Sequence, residues 1–389
     1  MMTSTLEDVA QRMCRTWAEI NLGHLRNNVR EVRRWVGEGV KILVTVKADA
    51  YGHGYDRISR TLVEEGVDFL GVANVIEALQ VRESLNHGTR AIPIMTLGPN
   101  LPDEMDVVIE NNFVPMVCSL HEAELYSRKA AALGKTISVH IKVDTGMGRI
   151  GIWKDDCIEA IMRISQMPNL VIEGIASHFP SADEDDLTFS EQQAREFLLI
   201  VSALQSRGIN IPIRHMANSS GLLNIRASHM DLVRPGLVIY GEYPSPYIKE
   251  KIMVKPILSW KTRLVFIKDI QPGRTISYGR TFMAKKPMRI ATLSIGYGDG
   301  FNRGLSNIGK ALVRGEYAPI VGNVTMDQVM IDVTHITDAA LGDEVTLIGR
   351  QGVNSITASD IARILGTIPY VVLCGISKRV MRKYIDETR

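Results

Sequence analysis

The sequence predicts an α/β chain in two parts, an N-terminal (β/α)8 barrel of TIM type followed by a mainly β domain, and three observations carry that prediction. From about Thr16 to about Tyr240, short β-branched runs alternate with amphipathic stretches, a texture that favours the barrel, with a doubly wound open sheet as the alternative. After about Pro244 the helical spacing gives way to strands parted by Gly, Pro and Asp turns, which reads as a β barrel or sandwich. The chain has 389 residues, longer than one average domain. The expected bounds are 12–245 for the barrel and 246–389 for the β domain, with residues 1–22 available to pack with the latter.

Taken in order, KILVTV (Lys41–Val46), DFLGVA (Asp68–Ala73), AIPIMTL (Ala91–Leu97), ISVHIKV (Ile137–Val143) and VIEGIAS (Val171–Ser177) read as parallel strands. Between them, Leu25, Val29 and Val32 keep helical spacing, and Ser190 with Gln193 forms a capping box ahead of Phe197, Val201 and Leu204. In the second half RLVFIKDI, RTISYGRTF, RIATLSIGYGDG, APIVGNV, QVMIDV and EVTLIG read as strands, interrupted by one short helical pattern near Ser359 to Leu365. No fixed-period repeat and no low-complexity linker separates the halves, so the domains are expected to pack rather than swing freely.

Composition narrows the function classes. Hydrophobic residues make up 45% of the chain and charged ones 23%, with 45 basic and 43 acidic side chains interspersed for a net charge of +2. Such a balance offers no footprint for nucleic acid. The start, MMTSTLEDVAQRMCR, has no apolar run behind a basic segment, and no stretch approaches the roughly eighteen apolar residues that would span a bilayer; the expected address is cytoplasmic. Cys14, Cys118, Cys157 and Cys374 are scattered without CxxC spacing and read as buried thiols rather than a disulfide frame or a metal site.

Lys47 directly follows KILVTV, which puts an amine at the C-terminal end of a barrel strand, where such folds keep their active sites. Partial desolvation there lowers an amine's pKa and frees it for Schiff-base chemistry. The residues after it, Ala48 to Gly54, make a short loop containing glycine that can approach a ligand closely, with the Tyr51 phenol in reach of a phosphate.

The run VKADAYGHG resembles the pyridoxal 5'-phosphate (PLP) attachment signature of the alanine racemase family. The likeness recurs in order along nearly the whole chain: TWAEINL near Trp17, IKVDTGMGRIG (Ile141–Gly151), SHF (Ser177–Phe179), HMANSSG (His215–Gly221) and VRPGLVIYG (Val233–Gly241). It continues in ISYGRTF (Ile276–Phe282), GYGDGF (Gly296–Phe301), VTMDQ (Val324–Gln328) and TIPY ending at Tyr370. So many ordered segments are not a chance match.

The resemblance implies a role for each position. Lys47 would carry the cofactor; Asn218, Ser219 and the backbone of Gly236 and Leu237 would hold its phosphate, closed over by the phenols of Tyr51 and Tyr370. Arg234 would face the pyridine nitrogen, and an arginine, which stays protonated, disfavours a protonated ring and the side reactions that follow from it. His178 would lie against the ring. Racemisation needs acid/base groups on two faces of the α-carbon, which the resemblance assigns to Lys47 for the D-amino acid and Tyr278 for the L-amino acid. A phenol with a reference pKa of about 10 needs a basic network beside it to serve as a base.

The resemblance further implies a head-to-tail homodimer in which Tyr278 comes from the partner subunit. Arg149 and the backbone N–H of Met326 would meet the substrate carboxylate, with Tyr297 at the entrance. Lys142 stands where many relatives have a carbamylated lysine. One position departs: many relatives have arginine where this chain has Asn323, which bears on selectivity and access. The expected activity is interconversion of L- and D-alanine, supplying D-alanine for peptidoglycan. Two alternatives are a racemase of serine or broader range and a PLP amino-acid decarboxylase of the same fold type, whose cysteine-bearing motif is absent here. A non-catalytic PLP-carrying protein, usually of one domain, fits a two-domain chain with Tyr278 poorly.

Overall fold

The computed structural model describes residues 13–85, 91–245, 248 and 251–387; the start Met1 to Arg12, read above for a leader, lies outside them. The chain divides into two compact units, one of Leu25–Ala50 and Tyr55–Lys255, the other of Met1–His24, Tyr51–Gly54 and Pro256–Arg389. Lys251 and Lys255 are tied to the first of these units. The Asn28 amide donates to the Lys255 carbonyl at 2.8 Å and accepts its N–H at 2.8 Å, and Lys251 Nζ donates to Asn224 at 2.7 Å.

In chain order, β1 (Thr16–Asn21) precedes α1 (Leu22–Val36), on which Leu25, Val29 and Val32 are fully buried as their spacing predicts. The barrel strands are β2 (Lys41–Thr45), β3 (Phe69–Val72), β4 (Ile94–Thr96), β5 (Val114–Val117) and β6 (Ile137–Asp144), then β8 (Leu170–Ala176), β9 (Ile213–His215) and β10 (Leu232–Val233), with short β7 (Ile152–Trp153) added to the end of β6. All pair in parallel, in the order β10-β2-β3-β4-β5-β6-β8-β9. Backbone bonds from Asp231 to Arg214 (3.1 Å) and from Arg234 to Ala217 (2.8 Å) bring the last pair together and nearly close the ring.

Between the strands run α2 (Lys47–Gly52), α3 (Tyr55–Glu64), α4 (Val75–Leu85), α5 (Met105–Glu110), α6 (Leu120–Ala132), α7 (Cys157–Ile164), α8 (Thr188–Gln205) and α9 (Ser219–Asn224). Leu43, Phe69, Met95, Val114, Met116, Ala176, Ile213 and Leu232 fill the barrel as one apolar cluster. Each strand except β6 gives an apolar side chain to it; β6 instead gives His140, whose ring meets that of Phe69 edge-on. The interior is thus a packed core with a polar seam.

One expectation fails here. Ser190 and Gln193 are no capping box, because α8 already starts at Thr188, whose N–H donates to the Asp186 carboxylate at 2.9 Å. Both side chains instead lie on the buried face, and Gln193 Nε2 donates to Thr145 at 3.3 Å.

In the second unit β1 lies between β11 (Leu258–Ile270), antiparallel to it, and β20 (Met381–Ile385), parallel to it. β12 (Thr275–Ile276) and β13 (Phe282–Met283) form a two-stranded ribbon, and β14 (Met288–Leu293) pairs with both β11 and β17 (Val329–Asp332). β15 (Lys310–Val313) joins β16 (Glu316–Pro319) to β18 (Glu344–Gln351), which pairs with β11 and β19 (Asn354–Ile356). Helix α10 (Ala358–Leu365) opens on a capping box of Thr357 and Asp360, and α11 (Pro369–Cys374) follows with Pro369 at its first position. Ile270, Ile276, Ala284, Met288, Ile290 and Val321 form an apolar core under the ribbon.

Two further expectations are corrected. RTISYGRTF is not a strand throughout: the ribbon is broken by a turn in which Ser277, Gly279 and Arg280 have positive φ (65°, 72° and 50°), and Tyr278 rides on that turn. The thiols are all free, yet only Cys157 is buried; Cys14 and Cys118 are half-buried, and Cys374, at the end of the short α11, is exposed. No described helix is long and apolar enough to cross a membrane.

Candidate active site

At the C-terminal rim of the barrel, Lys47 follows β2 after one residue, Val46, and is half-buried. The residues after it do not form an ordinary loop. Ala48, Asp49, Ala50 and Tyr51 have φ of 53–54° and Gly52 has 80°, a left-handed turn of helix. Each non-glycine residue so placed costs about 1–2 kcal/mol, so other bonds must hold the turn. Ala50 N–H donates to the Val46 carbonyl at 2.9 Å, Tyr55 N–H to the Asp49 carboxylate at 3.0 Å, and Ala48 N–H to Glu77 Oε1 at 2.8 Å.

On the strand next to β2, Arg234 directly follows β10 and is buried. Its Nη2 donates to the carbonyls of Ser177 (2.7 Å) and Met216 (3.2 Å) and meets His178 Nδ1 at 3.3 Å, while Nη1 meets His215 Nδ1 at 2.6 Å. A guanidinium only donates, so His215 accepts at Nδ1 and must carry its proton on Nε2. That proton is donated to His140 Nδ1, 2.7 Å away. His140 is then protonated at Nε2, with the Glu173 carboxylate 3.9 Å off. A chain of fixed polarity thus runs from Arg234 into the barrel. Burial, then the charge of Arg234, pushes the His140 pKa down to about 3, and the same two causes hold His215 well below the ordinary histidine range. Burial alone brings Arg234 down to about 10, still charged at neutral pH.

His178 shows which groups converge. Burial and then the positive charges of Lys142, Arg234, Arg149 and Lys47 hold its pKa well below the usual value. Lys142, inside β6, is buried, and burial followed by Arg234 holds it well below the ordinary lysine range. Two residues on, Asp144 organises the TGMGR loop: its carboxylate accepts the N–H groups of Gly146 (2.8 Å), Gly148 (3.1 Å) and Arg149 (3.1 Å). Burial opposes the Asp144 charge, but these backbone donors outweigh it and its pKa is lowered. Arg149 itself stays exposed at the rim.

A phosphate-sized anion finds matching donors beside this group. Ser219 Oγ accepts N–H bonds from Gly236 (2.9 Å) and Val238 (3.4 Å). With its lone pairs engaged, the hydroxyl hydrogen is left to donate elsewhere. Asn218 caps α9 by accepting the Gly221 N–H at 2.9 Å, which shapes the loop rather than offering its carbonyl oxygen to a ligand. Arg234 has a similar surplus, since the four bonds above use only its Nη atoms and leave Nε–H over. Hydroxyl and guanidinium donors on neighbouring strand ends fit a phosphorylated pyridine such as PLP. Leu237, next to Gly236, is buried and starts a 3-10 turn.

The second unit holds the remaining expected residues. Tyr51 and Tyr370 stack edge-to-face, ring centres 5.4 Å apart, and burial, then Tyr370, raises the Tyr51 phenol's pKa. Tyr278 is 77% exposed, and its turn is pinned by Asn323, whose amide donates to the Tyr278 carbonyl at 2.8 Å while Ser277 Oγ donates to the Asn323 carbonyl at 2.6 Å. Tyr297 and Met326 lie on adjoining loops joined by Tyr297 N–H to the Thr325 carbonyl (3.0 Å) and Gly298 N–H to the Met326 carbonyl (2.9 Å). Arg379 bridges Asp299 and Asp327 at 3.1 and 2.7 Å and fastens the same loops.

Sequence profiles described as "Alanine racemase, N-terminal domain" and "Alanine racemase, C-terminal domain" match residues 20–244 and 257–384. The alanine racemase of Halothermothrix orenii is 44% identical over 369 residues, 95% of this chain and 96% of that protein. The chain belongs to the alanine racemase family. Among solved structures, the alanine racemase of Clostridium difficile 630 superposes with a TM-score of 0.91 at 35% identity, covering 97% of each chain. The alanine racemase of Bartonella henselae, with covalently bound pyridoxal phosphate, gives 0.87 at 28% identity, covering 96% of this chain and 100% of that one.

Four residues that shape this alanine racemase site were not singled out by the sequence: His215, His140, Asp144 and Glu77. The first three stand within quoted runs; alternation along ISVHIKV groups His140 with Ser138 and Lys142, opposite Val139 and Ile141, and by itself does not say which face lines the barrel. Glu77 gave no signal, because it acts on backbone N–H groups rather than through a motif of its own.

Proposed function

We propose that this chain interconverts L- and D-alanine with PLP as its cofactor, using Lys47 and Tyr278 as the two proton-transfer groups. The observation that carries the reading is the convergence on one barrel rim of Lys47, Lys142, Arg149 and Arg234 around His178. Alanine racemisation is the activity for which the relatives are named. When bound, PLP supplies an electron-withdrawing ring that makes the substrate's α-proton acidic. Ser219, Gly236 and Leu237, with Asn218 shaping their loop, would hold the phosphate, with the phenols of Tyr51 and Tyr370 as further donors to it. Arg234 would donate to the pyridine nitrogen and, being charged, would disfavour its protonation and with it transamination.

Lys47 would hold the cofactor between turnovers, and its amine would take or return the proton on the face used by D-alanine. Tyr278 serves the other face. Arg149 and the backbone N–H of Met326 bind the substrate carboxylate, with Tyr297 at the entrance. The high exposure of Tyr278 suits a group that a head-to-tail homodimer places in its partner's site. Lys142 is the candidate for carbamylation: burial favours the neutral form of its amine, the form that can add carbon dioxide with loss of a proton, which would give an anion close to Arg234 and Arg149. Free thiols fit a reducing cytoplasm, and the metabolic outlet of such a cytoplasmic racemase is D-alanine for the cell wall.

The test is a chiral assay of L- and D-alanine with serine and lysine as comparators, alongside borohydride reduction of the purified protein. Alanine is expected to be inverted fastest, and the reduced cofactor to be found on the peptide containing Lys47. Carbon dioxide release without inversion would replace the reading with decarboxylation. A Tyr278→Phe enzyme that inverts both enantiomers at the wild-type rate would remove the two-base scheme.

A further inference from the structure

The left-handed turn after Lys47 raises the question of what keeps it in place. Four consecutive residues with a Cβ adopt φ of 53–54°, a conformation single residues adopt sparingly and only when their surroundings over-determine it. Within the turn, Ala50 N–H reaches back to Val46. Ala48 N–H, the first peptide after Lys47, is instead taken by a side chain from the first turn of α4. Glu77 Oε1 accepts it at 2.8 Å, and Glu77 Oε2 accepts the N–H of Ala73, the first residue after β3, at 2.8 Å. Glu77 is itself located by its own N–H, which donates to Asn74 Oδ1 at 3.0 Å at the start of α4. One carboxylate therefore joins the ends of two adjacent barrel strands, and both of its oxygens are used on backbone.

We propose that Glu77 is the positioning residue for Lys47: by gripping the peptide that follows the lysine, it sets the direction in which the Lys47 side chain leaves the rim. The inference rests on the reading of Lys47 as cofactor carrier and base. Glu77 touches neither cofactor nor substrate. Its effect passes through the backbone, since fixing the Ala48 amide fixes the plane from which the Lys47 Cα–Cβ bond projects. A carboxylate suits the task because two acceptor oxygens can serve two N–H groups at once, whereas an amide would turn an –NH2 toward one of them.

The variants are Glu77→Gln and Glu77→Asp, with Val81→Ala as the comparison that loosens the buried face of α4 and touches none of the bonds of Glu77. Two quantities are read in each: amide hydrogen exchange of the peptide spanning Val46 to Tyr55, in protein with and without cofactor, and the separate values of kcat and KM. For Glu77→Gln, exchange at the Ala48 amide is expected to rise about tenfold in both states. Its kcat is expected to fall about 10- to 100-fold, with KM for alanine changed by less than about twofold. Glu77→Asp, whose shorter carboxylate reaches one N–H at a time, should fall between, and it carries the test if the glutamine variant does not fold. Val81→Ala should lower the melting temperature at least as much as Glu77→Gln while leaving Ala48 exchange and kcat unchanged. The proposal is overturned if Glu77→Gln leaves Ala48 exchange at the wild-type rate, or if Val81→Ala reproduces both effects, which would make Glu77 a residue of general α4 stability only. Borohydride labelling of wild type at a residue other than Lys47 would instead overturn the reading of Lys47 and leave the exchange result standing.

Discussion

Single residues in this molecule act mainly by fixing where protons sit. His140 shows it most clearly: with its pKa pushed down to about 3 by burial and by Arg234, it stays neutral in the folded protein, whereas in the unfolded chain it takes up a proton near the ordinary value of about 6.5. Between those two values the unfolded state binds more protons, so stability falls as pH falls, by about 1.4 kcal/mol per pH unit for this one group. A His140→Gln variant is therefore expected to lose stability less steeply than wild type between about pH 6 and pH 4, which denaturant titrations at several pH values would read. Parallel slopes would mean that His140 is protonated in the folded state. Asn323 has a different task. Its amide holds the Tyr278 carbonyl at 2.8 Å. Asn323→Ala is expected to lower kcat/KM about tenfold, equally for both enantiomers because their equilibrium constant is one; a wild-type kcat/KM would show that the Tyr278 turn does not depend on this bond.

At the scale of elements, close approach decides several choices of residue. A Cβ added to Gly174 in β8 would stand 2.1 Å from His140 Nδ1, so Gly174→Ala must displace the ring that accepts from His215. The cost is expected to be about 1–3 kcal/mol, seen as a lower denaturation midpoint, and a shift in the cofactor's absorbance should accompany it. The same scale shows what the sequence could convey. Runs such as KILVTV and ISVHIKV announce β2 and β6 because alternation and β-branching persist long enough to be read. β9 and β10 are three and two residues long, and β5 contains Pro115, a residue that argues against a central strand; none of the three leaves a periodic trace. The left-handed turn after Lys47 was equally hidden, since alanine, aspartate and tyrosine give no sign of positive φ and only tertiary bonds impose it. Motif residues of the site were legible because their order along the chain is specific. Supports such as Glu77 and Asp144 were not, because a carboxylate that binds backbone amides looks, in sequence, like any surface acid.

For the whole molecule the proposed homodimer gives a direct test. Lys47→Ala and Tyr278→Phe should each be nearly inactive alone, but mixing them under conditions of subunit exchange creates hybrids in which one of two sites has both native residues. Half of the dimers would be hybrids, so about a quarter of wild-type activity should return; none would return if both residues of a site came from one chain. The way the chain is threaded has another consequence. It passes between the two units after His24, Ala50, Gly54 and Lys255, and β1, from the first passage, lies inside the second unit's sheet with a neighbour on each side. The second unit is therefore no cassette. A graft of residues 256–389 onto another barrel would arrive with a strand missing from the middle of its sheet and two raw edges facing the gap, so recombination that keeps the protein folded must carry both ends of the gene together.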